Sequence, residues 1–146
     1  EIFGGTREEA KVQTFSWMYD LKKKNKKLEK RYSRSKILDS YYRDNHVRTP
    51  FGRRIECDST RAINYLIQST SSDLLIKRAI EVEKKLQNLK SEIAFVMHDC
   101  VVLDFSKYDF AIIKEIKSCM ENTELGKYMV NTKIGVDFAN MKRIVI

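Results

Sequence analysis

The spacing of apolar and polar positions divides the chain into a helical first third and a mixed remainder. Thr6-Arg7-Glu8-Glu9 is a capping box, with Thr at the N-cap and Glu three positions later, so a helix is predicted from about residue 6 to Leu21 or beyond. Its basic continuation, Lys22 to Lys30, leads into a second predicted helix over Ser35 to Asn45. Thr49-Pro50-Phe51-Gly52 breaks the helical pattern, because Pro disfavours a helical residue before it and Gly permits a turn; the boundary between sub-regions is placed there. From about Arg61 to Lys90, apolar residues such as Ile63, Leu66, Ile67, Ala79, Val82 and Leu86 recur at threes and fours, predicting one long helix with a buried stripe. Ile93 to Met97 and Val101 to Leu103 are β-prone runs separated by His98-Asp99-Cys100, a hairpin of buried strands with polar residues at its turn. A helix over Asp109 to Asn122 and closing strands over Thr132 to Phe138 and Arg143 to Ile146 complete an α+β pattern: a helical segment, then an antiparallel hairpin and closing strands packed on long helices.

Composition narrows the class. The 146 residues are 42% hydrophobic and 33% charged, with one Pro and five Gly, which excludes collagen-like and disordered chains. No apolar stretch approaches the roughly 20 residues of a membrane span, and Glu1 to Glu9 lack the basic start and apolar middle of a signal peptide. A soluble, cytoplasmic protein is expected, with no membrane partner. Cys57, Cys100 and Cys119 form neither a CxxC pair nor a Cys/His ligand set, so reduced and mostly buried thiols are expected.

The formal charge of +8 is concentrated. Residues 1–54 hold 15 Lys/Arg against 7 Asp/Glu, whereas residues 55–146 hold 13 of each. A basic segment beside a neutral one is the footprint of a surface facing phosphates; the alternative is a solvated Lys-rich helix face.

Within that segment Arg7, Lys11, Phe15 and Tyr19 follow one another at intervals of four. On an α-helix they stack along one stripe that drifts about 40° per step, two cations followed by two rings. Like charges at i and i+4 are mutually unfavourable, so Arg7 above Lys11 makes sense if an anion lies between them. A triphosphate would suit, met by a planar fork, a point charge and the helix N-terminus. The competing reading is an ordinary amphipathic helix with Phe15 and Tyr19 in the core.

A second constellation is the hairpin turn with His98 and Asp99. A carboxylate held on such a turn suits Mg²⁺, a hard ion that prefers oxygen. One Asp is not enough, however, and a partner acid must come from elsewhere; as turn residues the pair could also be unremarkable. The third is the polar run Gln68-Ser69-Thr70-Ser71-Ser72-Asp73, preceded by Asn64, which could hydrogen-bond to nucleic-acid edges or form a solvated turn of helix.

Four motifs then occur in one order. Arg7-x3-Lys11-x3-Phe15-x3-Tyr19 resembles the fingers-helix motif of family A DNA polymerases, the DNA polymerase I-like and phage replicase group. Thr49-Pro50-Phe51-Gly52-Arg53-Arg54 resembles that family's Phe-Gly-Arg-Arg turn. Asn64-x3-Gln68-Ser69-Thr70-x2-Asp73 resembles its primer-contacting palm helix, and Val96-Met97-His98-Asp99 its final catalytic motif. The resemblance implies a fingers portion over residues 1–50 with the nucleotide-binding helix, and the C-terminal part of a palm over residues 51–146.

It further implies that Arg7 and Lys11 bind the phosphates of an incoming dNTP, Phe15 packs on its sugar and Tyr19 borders the templating base. Arg53 and Arg54 would touch DNA backbone, and Asn64 and Gln68 would read the minor groove near the primer terminus. Lys11, His98 and Asp99 would be catalytic, with Asp99 a ligand in a two-metal Mg²⁺ site. Asp20 stands where the family usually has Gly, and Cys100 where it usually has Glu. The family's other catalytic Asp belongs to an Asp-aromatic-Ser motif upstream of the fingers helix, and this chain begins after that point. Asp104-Phe105-Ser106 imitates the motif in the wrong place. The expectation is a split subunit or excised fragment of a DNA polymerase from a bacterial or phage-infected cell, inactive until a second polypeptide supplies the thumb, the first half of the palm and the missing Asp. A single-subunit RNA polymerase fragment and a non-catalytic nucleic-acid-binding module are the alternatives.

Overall fold

A computed structural model describes residues 5–20 and 22–146. The chain forms two compact units, residues 1–71 and 72–146, and the division falls inside the long helix α4, Ala62–Leu86. The architecture is α+β, with helices and small antiparallel sheets.

In the first unit, α1 (Arg7–Tyr19) opens on the expected capping box: the Thr6 N–H donates to the Glu9 carboxylate at 2.8 Å, and the Glu9 N–H donates to the Thr6 hydroxyl at 3.3 Å. The helix stops at Tyr19, short of the sequence expectation, because Asp20 adopts extended backbone and its N–H closes onto the Ser16 carbonyl. Leu21 lies outside the described residues. The basic run does not continue α1. Asn25 caps a new short helix, α2 (Lys26–Tyr32), accepting from the Lys27 and Leu28 N–H groups.

Helix α3 (Arg34–Tyr41) also ends earlier than expected. Asp44 and Asn45 take left-handed φ angles of 50° and 56°, the pair of a type I′ turn, and fold Tyr42–Arg43 (β1) against His46–Arg48 (β2). The Thr49–Gly52 stretch is the next turn, with Gly52 at φ 91°, and joins β2 to β3 (Arg54–Glu56) in a three-stranded sheet. Tyr42, Val47 and Ile55 align across its inner face, where Val47 packs with Cys57, Ala62 and Leu66. Trp17, Met18, Leu28 and Ile63 form an adjoining core.

In the second unit α4 ends at Leu86 instead of near Lys90; Asn88 in left-handed backbone, φ 70°, turns the chain out of the helix. Strands β4 (Glu92–Met97) and β5 (Cys100–Asp104) form the expected hairpin. The expected helix over Asp109 to Asn122 divides into a 3₁₀ turn, Lys107–Ile112, and α5, Ile113–Glu121, because the Ser106 hydroxyl caps a tight turn at the Tyr108 N–H. Val82, Leu86 and Ile116 are the core, with Ile93, Leu103 and Phe105 packed on it. Two short ladders follow: β6 (Asn122–Thr123) with β7 (Gly126–Lys127), and β8 (Thr132–Ile134) with β9 (Lys142–Ile144). The closing strands are shorter than the sequence suggested.

No described helix is long and apolar enough to cross a membrane. All three cysteines are free; Cys57 is buried, while Cys100 and Cys119 are half-buried.

Candidate functional site

Helix α1 has two sides with different chemistry. Trp17 and Met18 are buried, whereas Phe15 and Tyr19 are 45% and 46% exposed, so the rings of the stripe are not the core side of an ordinary amphipathic helix. Phe15 and Tyr19 meet at 6.2 Å with their planes tilted by 59°, and the Lys11 ammonium lies 5.9 Å from the Phe15 ring centre. Arg7 and Lys11 are exposed, and among the described residues neither pairs with a carboxylate. Glu9, two positions before Lys11, has its carboxylate engaged by the Thr6 N–H. The stripe thus offers two cations and two rings to solvent in the order the sequence dictated.

What fixes the far end of α1 was not visible in the sequence. Arg34, only 8% exposed, donates to the Asp20 carbonyl at 3.0 Å and to the Lys23 carbonyl at 2.9 Å, and its guanidinium lies 5.1 Å from the Trp17 ring centre. Glu29 completes the cluster, accepting from the Trp17 indole N–H at 3.0 Å and from the Arg34 backbone N–H at 2.9 Å. α1 has no basic residue in its last turn, so Arg34 supplies the cation that its C-terminal carbonyls favour.

The Phe51-Gly52-Arg53-Arg54 turn presents Arg53 and Arg54 at the surface. The Arg53 N–H donates to the Thr49 hydroxyl at 3.2 Å, and an Arg54 guanidinium nitrogen lies 3.3 Å from His46 Nδ1. Asn64 and Gln68 sit one turn apart on α4, half-buried and exposed respectively. The start of that helix is fixed by Asp58, whose carboxylate accepts from the Thr60 and Arg61 N–H groups and from the Thr60 hydroxyl, a set of bonds that holds it below the usual carboxylate range.

In the second unit His98 and Asp99 form the two-residue turn of the β4–β5 hairpin, both exposed, with His98 in left-handed backbone at φ 52°. The strands are less buried than expected. Phe95, Val96 and Met97 are 44%, 42% and 41% exposed, because a register shift between Ile93 and Phe95 leaves Ile93 and Leu103 on the core and takes the tip of the hairpin beyond it. Asp104 ends β5, Phe105 packs on the core and Ser106 caps the next turn, so the imitated motif has a structural role. The base of the hairpin is anchored by Asp109, which accepts from the Lys90 N–H, the Ser91 N–H and the Ser91 hydroxyl, each at 2.8 Å. The Ser91 hydroxyl oxygen in turn accepts from the Ser106 N–H at 2.9 Å.

Asp99 is a single hard oxygen donor group. Among the described residues no group of three or more His, Cys, Asp or Glu could hold a metal ion. A two-ion centre needs several carboxylates around ions roughly 3.5–4 Å apart, and the described residues do not gather such a set.

No family model and no curated protein matches the sequence. Among solved structures, the POL domain of Pol1 from M. smegmatis, in complex with DNA primer-template and dNTP, has a similar fold: TM-score 0.62 over 84% of this chain, at 20% identity. The chain spans 28% of the length of that protein chain.

Proposed function

We propose that this chain is the C-terminal fingers-and-palm part of a template-directed DNA polymerase that adds dNTPs to a primer 3′-hydroxyl. The observation that carries the reading is the fold shared with a POL domain whose structure holds primer-template and dNTP. The four sequence motifs support it, since the side chains assigned roles in them are exposed or, for Asn64, half-buried. Arg7 and Lys11 hold the triphosphate, where their positive charges offset the charge that builds on the phosphates as the bond to the leaving group lengthens. Phe15 packs on the sugar and Tyr19 borders the template base. Asn64 and Gln68 contact the minor-groove edges near the primer terminus, Arg53 and Arg54 contact DNA backbone, and His98 lies against the primer end. Asp99 contributes one carboxylate to a Mg²⁺ site whose remaining ligands come from outside this chain.

The reading requires a complement carrying the thumb, the first half of the palm and a second acid. Primer extension tests it. The chain alone should not extend a primed template with Mg²⁺ and dNTPs, the chain with such a complement should, and Asp99→Asn should abolish incorporation. Extension by the chain alone defeats the half-site argument. Preference for rNTPs in the complemented enzyme would instead indicate an RNA polymerase. A DNA affinity indifferent to Asp99→Asn and to metal, with no extension by any assembly, would indicate a non-catalytic binding module.

A further inference from the structure

The outer face of the β1–β2–β3 sheet carries a cluster of cations, of which the proposed function uses only Arg54. Because side chains alternate along a strand, the register that turns Tyr42, Val47 and Ile55 to the core turns the flanking rows outward. One row is Arg43, His46 and Glu56; the other is Arg48 directly opposite Arg54. Arg43, Arg48 and Arg54 are exposed, and among the described residues no carboxylate pairs with them. The one acid of the face, Glu56, stands across from His46.

Two guanidinium groups directly opposite on adjacent strands repel, and the sheet gains nothing from that pairing by itself. His46 does not relieve it. Its Nδ1 lies 2.6 Å from the Asp44 carbonyl, which calls for a proton on that nitrogen, so the same atom cannot accept from the Arg54 guanidinium 3.3 Å away. The donors of Arg43, Arg48 and Arg54 therefore face outward from two rows about 6.6 Å apart, the advance of two residues along a strand. That is about twice the roughly 3.4 Å by which each phosphate of one nucleic-acid strand advances along the axis, so the two rows match the axial spacing of every second phosphate.

We propose that this sheet face is a docking surface for DNA backbone, with Arg43 and Arg48 as phosphate contacts beside Arg54. The proposal rests on the reading of DNA as the partner and extends it from the Arg53-Arg54 turn to a built, rigid face. These contacts confer affinity and register without reading base sequence.

Fluorescence anisotropy of a labelled primer-template duplex, titrated with the full chain at several salt concentrations, tests it. Replacing both Arg43→Gln and Arg48→Gln should reduce the slope of log affinity against log salt by nearly 2, at about 0.9 per phosphate contact, which corresponds to roughly 60-fold weaker binding at 0.1 M salt. Arg43→Lys with Arg48→Lys should largely retain the slope. Lys133→Gln with Lys142→Gln, an equal loss of charge on the β8–β9 ladder, should leave it unchanged, and circular dichroism should show all variants folded. If the native chain binds DNA and the Gln pair leaves its slope intact, or the β8–β9 pair lowers it equally, the sheet-face proposal fails and the polymerase reading stands. If the native chain does not bind the duplex even at low salt, the sheet-face proposal fails, while the polymerase reading is decided separately by primer extension with the complement.

Discussion

Arg34 holds its charge mainly against backbone carbonyls, at the end of the helix that carries the exposed stripe of Arg7, Lys11, Phe15 and Tyr19. Removing the guanidinium would leave the Asp20 and Lys23 carbonyls and the Glu29 carboxylate short of donors in a half-buried setting. Arg34→Met should therefore destabilise the first unit by about 1–3 kcal/mol, read as a lower urea midpoint in the fluorescence of Trp17. Arg34→Lys should recover only part, since an ammonium cannot reproduce the fork that spans two carbonyls. The stripe itself was readable in the sequence because four residues on one helix need only its period to be aligned. The Arg34 cluster was not readable: its partners are main-chain oxygens 14 and 11 positions away, which no side-chain pattern reports. His98 is a second residue whose backbone matters. Holding a non-glycine side chain at φ 52° is unfavourable, so His98→Gly should raise the thermal stability of the hairpin by up to about 1 kcal/mol. In a complemented enzyme the same change should lower incorporation, since the ring assigned to the primer end is gone.

At the scale of elements, the departures from expectation have local causes. Helix α3 overran in the sequence reading although Asp44-Asn45, a pair suited to left-handed backbone, stood in plain view. Strands β1 to β3 are two or three residues long, too short for alternation to be distinguished from helical spacing, and so the sheet went unread. The long helix and the β4–β5 hairpin were legible because each runs long enough for its period to show. The stop signal of α4 was a single residue. Asn tolerates the left-handed conformation at position 88 and a β-branched residue does not, so Asn88→Val should cost about 1–2 kcal/mol in chemical unfolding, whereas Asn88→Gly should cost little.

For the molecule as a whole, acid should be a denaturant in a definite window. Asp58 is held below the usual carboxylate range chiefly by its bond from the Thr60 hydroxyl, Asp109 by Ser91, Asp137 by Asn140 and Glu81 by Lys84. Each has a lower pKa folded than unfolded. The unfolded chain therefore takes up protons first as the pH falls, and the stability these groups contribute, complete near neutrality, is lost as pH falls through and below about 4. Urea midpoints should be level near pH 7 and decline from about pH 5 downward. Asp109→Asn should flatten that acid limb. A midpoint that rises on acidification would contradict the assignment.

The hairpin tip has one more consequence, and it concerns handling. Phe95, Val96 and Met97 leave oily side chains open to water on both sides of a two-stranded ribbon, with Phe138 stacked on Phe95 at 5.6 Å as partial cover. Preparations of the isolated chain should cloud as they are concentrated, despite the cationic repulsion between molecules. Light scattering should show self-association that Val96→Thr and Met97→Gln relieve.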